Sequence, residues 1–117
     1  LALDLIKLGA DLIQTEGGTS AQPLSAGCLG LIEKAAPTLA AAHSISETLK
    51  SSGCSVPLIC ASGLSAVTCP MAFAAGASGI GVGSVVNRLT NEIEMIAVIR
   101  TIREAIDSSR CLSEKLL

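Results

Sequence analysis

Aromatic residues are almost absent: Phe73 stands alone, with no tryptophan and no tyrosine in 117 residues. A β-sandwich draws on aromatic and Thr-rich alternating strands, so that class is set aside. Runs of one charge are also missing. Eight Lys and Arg face ten Asp and Glu, for a formal net charge of −2. With no basic run and no aromatic platform, nucleic-acid binding has no electrostatic footing. No C-x-x-C occurs, and the cysteines (Cys28, Cys54, Cys60, Cys69 and Cys111) are odd in number. That argues against a closed disulfide framework and against a structural zinc site, so we expect no metal and a reducing compartment. No apolar run reaches the ~18 residues that span a bilayer, so no membrane partner is expected. The chain opens without an initiator Met, a signal peptide or a transit peptide. Leu1 to Leu8 reads instead as the last turns of an amphipathic helix closed by Gly9. We therefore expect a fragment of a longer protein, with any targeting segment outside it.

What is present is apolar and small. Half of the residues are hydrophobic, rich in Ala, Ile, Val and Leu, with 11 glycines. Such side chains suit helices packed on buried strands in one domain. Three short, nearly continuous apolar runs predict strands at Leu12–Thr15, Val56–Cys60 and Gly79–Val82, as in parallel strands covered on both sides. Pro57 sits at the start of the second, where a missing N–H does least harm. Helical spacing predicts helices over Pro37–Lys50, Ala66–Ala75 and Asn91–Ser108. Pro37 suits a first helical position, and the stripe after it runs through Ala41, Ile45 and Leu49. In the last helix the stripe is Met95, Ile99, Ile102 and Ile106. Arg100 with Glu104, and Arg103 with Asp107, form pairs on its solvated face.

Helix and strand thus alternate, which implies βαβ units and a parallel sheet. A complete (β/α)8 barrel takes about 250 residues. The expected fold is α/β: the C-terminal part of a (β/α)8 TIM barrel, supplying roughly three units of eight. Glu16 to Ala36 departs from a minimal barrel, because it puts 21 residues between a strand and the next long helix. Within it Gly17-Gly18-Thr19-Ser20 reads as flexible, and Leu29–Ala36 can form a short helix. Two readings stay open for this stretch, a lid over the barrel mouth and a plain surface insertion.

The segment Gly79-Ile80-Gly81-Val82-Gly83-Ser84 ends the third strand, and Val85 to Arg88 begins a helical turn. In (β/α) barrels the loops after the last two strands often bind phosphate, beside a short extra helix. Glycine lets the backbone come close to the anion, and free N–H groups favour it. The partner loop is Ala61-Ser62-Gly63-Leu64-Ser65, after the second strand. The candidate phosphate ligands are Gly63, Gly83 and Ser84, with Ser62 and Asn87 behind them. A dinucleotide-binding Gly-rich turn is ruled out by position, because two of these three glycines fall inside the strand. The alternative is that the glycines only let a strand turn and pack.

Gln14 and Glu16 share one face at the C-terminal end of the first strand, where barrels keep catalytic residues. Glu16 can serve as general acid or base if partial burial raises its pKa. The competing reading is a carboxylate hydrogen-bonded to the Gly17-Gly18 loop. His43, the one histidine, falls beside Leu39, Glu47 and Lys50 and reads as solvated surface. Cys60 reads as a small buried thiol, with no histidine nearby to activate it. Lys34 would need burial on a strand to form a Schiff base and is not assigned.

The segments Gly9 to Ser20, Gly30 to Ala42, Cys60 to Thr68 and Ala74 to Gly79 resemble the hypothetical chloroplast reading frame twenty-three family. The match covers most of the chain. It implies an aldolase-type barrel in a chloroplast stroma or a cyanobacterial cytoplasm, and does not supply a reaction. A weaker likeness is to phosphosugar epimerases such as N-acetylmannosamine-6-phosphate epimerase, which end with a glycine turn, an apolar strand and a Gly-Ser phosphate loop. The expected partner is a phosphorylated small molecule, handled by an isomerase, epimerase or lyase, with a homo-oligomer allowed for. Flavin mononucleotide is the alternative cofactor, since barrels hold it by the same two loops. A non-catalytic binding or regulatory protein is the third reading.

Overall fold

The computed structural model describes residues 1–16 and 21–116, with side chains described to residue 110. Three strands, β1 (Ile13–Glu16), β2 (Leu58–Ala61) and β3 (Gly79–Gly81), lie parallel in the order β1-β2-β3. Five helices accompany them: α1 (Ala2–Lys7), α2 (Gly27–Ser51), α3 (Cys69–Ala74), α4 (Ser84–Asn87) and α5 (Glu92–Leu116). The parallel pairing and the alternation agree with the sequence pattern. β2 starts at Leu58 rather than Val56 because Pro57 has no N–H to give. The Pro57 carbonyl instead accepts the Ile13 N–H at 3.0 Å, which sets the β1–β2 register.

All the packed helices cover one face of the sheet. On that face Ile13, Leu58 and Cys60 meet Ala35 and Ala42 of α2, Cys69 and Ala72 of α3, and Ile102 and Ile106 of α5. Alternation puts Gln14, Glu16, Ile59 and Ala61 on the opposite face, and all four are exposed or half-buried. The core is therefore one-sided, with its small residues letting helices approach the strands closely. At the turn between α3 and β3, Gly76 has φ +111°, and a Cβ there would overlap the Ser46 Oγ on α2. A side chain at position 76 would push α2 away from the sheet.

Three expectations change. Leu29–Ala36 is no separate helix, and Pro37 does not open one. Both belong to the continuous 25-residue α2, with Pro37 inside it. A proline is tolerated there because its ring lies on the exposed side, while Ala35, Thr38, Ala42, Ser46 and Leu49 carry the buried face. That face is rotated from the expected stripe, so Ala41 and Ile45 are only half-buried. The 21-residue gap shrinks accordingly. Its Gly17-Gly18-Thr19-Ser20 portion lies outside the described residues. Second, α3 begins at Cys69 rather than Ala66. The Thr68 hydroxyl accepts the Ser65 N–H at 2.9 Å and holds residues 65–68 as a turn, after which Pro70 fits the first helical turn. Third, α5 buries Ile102 and Ile106 but leaves Ile99 at 52% exposure. Of the two expected ion pairs on α5, Arg103 Nε meets Asp107 Oδ2 at 3.1 Å.

Candidate functional site

The C-terminal ends of the three strands open on one pocket of about 470 Å³. β1 brings Gln14 and Glu16, the loop after β2 brings Ser62 and Gly63, and the loop after β3 brings Gly83 and Ser84. Six of the seven sequence candidates thus line a single cavity. Asn87, at the end of α4, is outside its lining.

The loop after β2 is conformationally unusual. Ser62 has φ +90°, the one non-glycine residue with positive φ among the described residues, and Gly63 follows at φ +71°. A non-glycine residue in that region costs about 1–3 kcal/mol and persists where its surroundings impose it. They do so from both sides. Upstream, the buried Thr15 hydroxyl accepts the Ala61 N–H at 3.2 Å. Downstream, Ser65 is tied to the fully buried Thr68. The Ser62–Gly63 turn is therefore clamped between two side-chain hydrogen bonds.

The glycines of the third segment separate into two kinds. Gly79 pairs with Ile59 and Gly81 with Ala61 in the β2–β3 register. A Cβ on Gly79 would lie 2.9 Å from Ile59 Cδ1, and one on Gly81 would lie 3.1 Å from the Ala61 Cβ. Those two glycines sit tight against β2, where a side chain would crowd Ile59 and Ala61. Gly83 does not: a Cβ there meets nothing within 4 Å. Nor does it need positive φ, since it sits at −128°. The first helical bonds of α4 run from the Val86 and Asn87 N–H groups to the Gly83 carbonyl, both at 2.9 Å. The N–H groups of Gly83, Ser84 and Val85 precede those bonds and have no partner among the described residues. With only four residues, α4 offers a weak dipole, smaller than the sequence pattern suggested.

Two cations also line the pocket. Lys34 comes from α2, and Arg88 follows α4. Neither takes part in an ion pair among the described residues. Lys34 had looked like a loop residue, and only the continuity of α2 through Pro37 reveals its place. One residue earlier, Glu33 ties the chain down. The Ser25 hydroxyl donates to its carboxylate at 2.6 Å, and the Leu24 and Ser25 N–H groups donate at 2.8 and 3.1 Å. These bonds hold the Glu33 carboxyl below its ordinary pKa. Gly30 permits the turn, because a Cβ there would overlap the Ser25 carbonyl oxygen.

Glu16 lines the pocket but is exposed, without the partial burial expected of it. His43 is exposed on α2, as its spacing indicated. Cys60 and Cys69 are fully buried, and burial pushes both thiols up, Cys69 to about 11 with the Cys60 charge adding to it. Neither forms a thiolate near neutral pH, which removes both as nucleophiles. Among the described residues no three His, Cys, Asp or Glu side chains come together to hold a metal ion. No helix among them is long and apolar enough to cross a membrane.

Comparison with known proteins supplies a family. Residues 1–112 match the family described as "Protein of unknown function (DUF561)". The chain is 36% identical over 116 residues to "Uncharacterized protein ycf23" of Porphyra purpurea, covering 99% of this chain and 42% of that protein. It is 37% identical over 110 residues to the protein of that name in Pyropia yezoensis, covering 94% and 38%. Against that of Cyanophora paradoxa it is 38% identical over 112 residues, covering 96% and 44%. The chain therefore spans about two fifths of the length of these relatives. It belongs to the DUF561, or ycf23, family.

Proposed function

We propose that this chain forms the phosphate-binding end of a (β/α)8 barrel and that the pocket at its strand ends holds a phosphorylated small molecule. The winding supports the barrel. A doubly wound sheet reverses its strand order and places helices on both faces. Here the order is β1-β2-β3 and the helices share one face. Repeated in that sense, such units would close on themselves with Gln14, Glu16, Ile59 and Ala61 facing inward.

The observation that carries the ligand is the convergence of two loops. The strained Ser62–Gly63 turn and the unpartnered N–H groups at Gly83 and Ser84 line one pocket. Gly83 is the glycine there that packing does not explain. Strain kept at a cavity edge beside free donors is what an anion site needs. Arg88 adds a cation at the same rim. The chemistry would be isomerisation, epimerisation or lyase cleavage, with Gln14 orienting the substrate and Glu16, exposed at the pocket wall, moving a proton once a bound substrate covers it. The red algal and glaucophyte relatives support a plastid or cyanobacterial setting.

The test is titration of inorganic phosphate into a protein of the relatives' length and into its Gly83→Val variant, with both melts recorded. Because a Cβ at position 83 has open space, the variant should fold with a nearly unchanged melt. Its branched side chain should occupy the anion's place and weaken phosphate binding by about tenfold or more, the worth of one charged hydrogen bond. Equal affinity in two folded proteins would place the anion elsewhere.

A further inference from the structure

We infer that two copies of this protein pair through α5, antiparallel, about a twofold axis at Ile96. α5 buries Ile102 and Ile106 but leaves Ile93, Ile96 and Ile99 at 76%, 51% and 52% exposure. Ile93 precedes the buried Ile102 by nine residues, which at about 3.6 residues per turn puts it on the opposite side of the helix. It points away from the core, on the side that a neighbouring helix of the same layer leaves open. A cover for it has to come from outside that layer. Single exposed apolar side chains are ordinary, but three at successive i, i+3 positions form one continuous ridge and mark an interaction surface.

The charges around the ridge identify the occupant as a second copy. Glu92 and Arg100 lie four residues before and four after Ile96, so each sits about 40° to one side of it. A second copy turned antiparallel about Ile96 sets that residue against itself. It brings its own Ile93 level with Ile99 and its own Glu92 level with Arg100. A twofold contact makes each of these pairings twice. A parallel copy would instead align Glu92 with Glu92 and Arg100 with Arg100, like charges together. Both groups are available: neither forms an ion pair among the described residues, and Arg100 does not take up Glu104 as its spacing allowed. The Asn91 side chain accepts the Ile93 N–H at 2.8 Å, so the ridge begins on a capped turn that fixes its direction.

The experiment measures mass by sedimentation over a range of concentrations, on a protein of the relatives' length. That length keeps association through open strand edges out of the reading. The variants are Ile96→Glu, Glu92→Arg, Arg100→Glu and the double reversal Glu92→Arg with Arg100→Glu. The unaltered protein should be a dimer. Ile96→Glu sets two carboxylates against each other on the axis, and should be monomeric throughout with the melt of a folded monomer. Each single reversal should weaken the dimer by about threefold to tenfold, and the double reversal should restore it. A protein that is monomeric at every concentration overturns the inference. So does a dimer that survives Ile96→Glu, or single reversals that the double does not rescue. A lowered melt of monomeric Ile96→Glu, with the unaltered protein also monomeric, would mean that the protein's own chain covers the ridge. If Ile96→Glu does not fold, the charge reversals decide, because Glu92 and Arg100 are exposed and touch no core residue.

Discussion

Ser62 is the residue at which stability and function are set against each other. Its φ of +90° is natural for glycine and costly for serine. If the strain serves only to pass the chain from β2 to α3, glycine is the better residue. Ser62→Gly should then raise stability by about 1 kcal/mol, strain relief exceeding the extra freedom of the unfolded chain. Urea denaturation would show it as a higher midpoint with unchanged slope, and a lower midpoint would mean that the turn is not strained. The same variant removes the hydroxyl but keeps the N–H, so its phosphate affinity divides the two donors. Much at this scale was legible in the sequence. Gln14, Glu16, Ser62, Gly63, Gly83 and Ser84 could be placed because parity and strand ends fix side-chain direction. Thr15 and Thr68, which clamp the Ser62 turn, gave no signal. Their roles depend on hydrogen bonds to Ala61 and Ser65 that exist only once the strands and the α3 turn are in place.

Among the elements, α2 departs most from its sequence. A proline in a helix interior normally marks a boundary, which is why Pro37 looked like a helix start. In α2 it removes the N–H that would reach the Glu33 carbonyl, yet the helix runs on to Ser51. Packing outweighs the penalty: Ala35, Thr38 and Ala42 are fully buried against the sheet on either side of it. Tertiary burial of this kind is invisible to a pattern read along the chain, whereas the strands were found within two residues because each is a short apolar run. Since Pro37 itself is exposed, Pro37→Ala should restore the hydrogen bond without disturbing the core. We expect a gain of about 1–3 kcal/mol, measured as a raised unfolding midpoint. A loss would mean that the native packing of α2 depends on the proline at residue 37.

At the scale of the whole molecule, the chain has a core on one side only. Its radius of gyration is 15.0 Å, above the roughly 13.4 Å of a compact domain of this length. Among the described residues, the outer edges of β1 and β3 pair with no strand. Beside the β1 edge, α1 and α2 frame an apolar groove of about 580 Å³ that includes Leu1, Leu5, Ile13, Ala41 and Ile45. Leu8 and Leu12 stand nearby at 84% and 47% exposure. In a barrel, a further strand would pair with β1 between α1 and the sheet and fill that groove. Unpaired edges and open apolar grooves of this size promote association. The 117-residue chain alone should therefore self-associate as its concentration rises, detected as a mass that climbs in light scattering and as a broad, weakly cooperative melt. A protein of the relatives' length should be monodisperse and melt sharply. Sharp cooperative melting of a monomeric 117-residue chain would mean that the one-sided core suffices, and the winding argument for a closed barrel would lose its energetic basis.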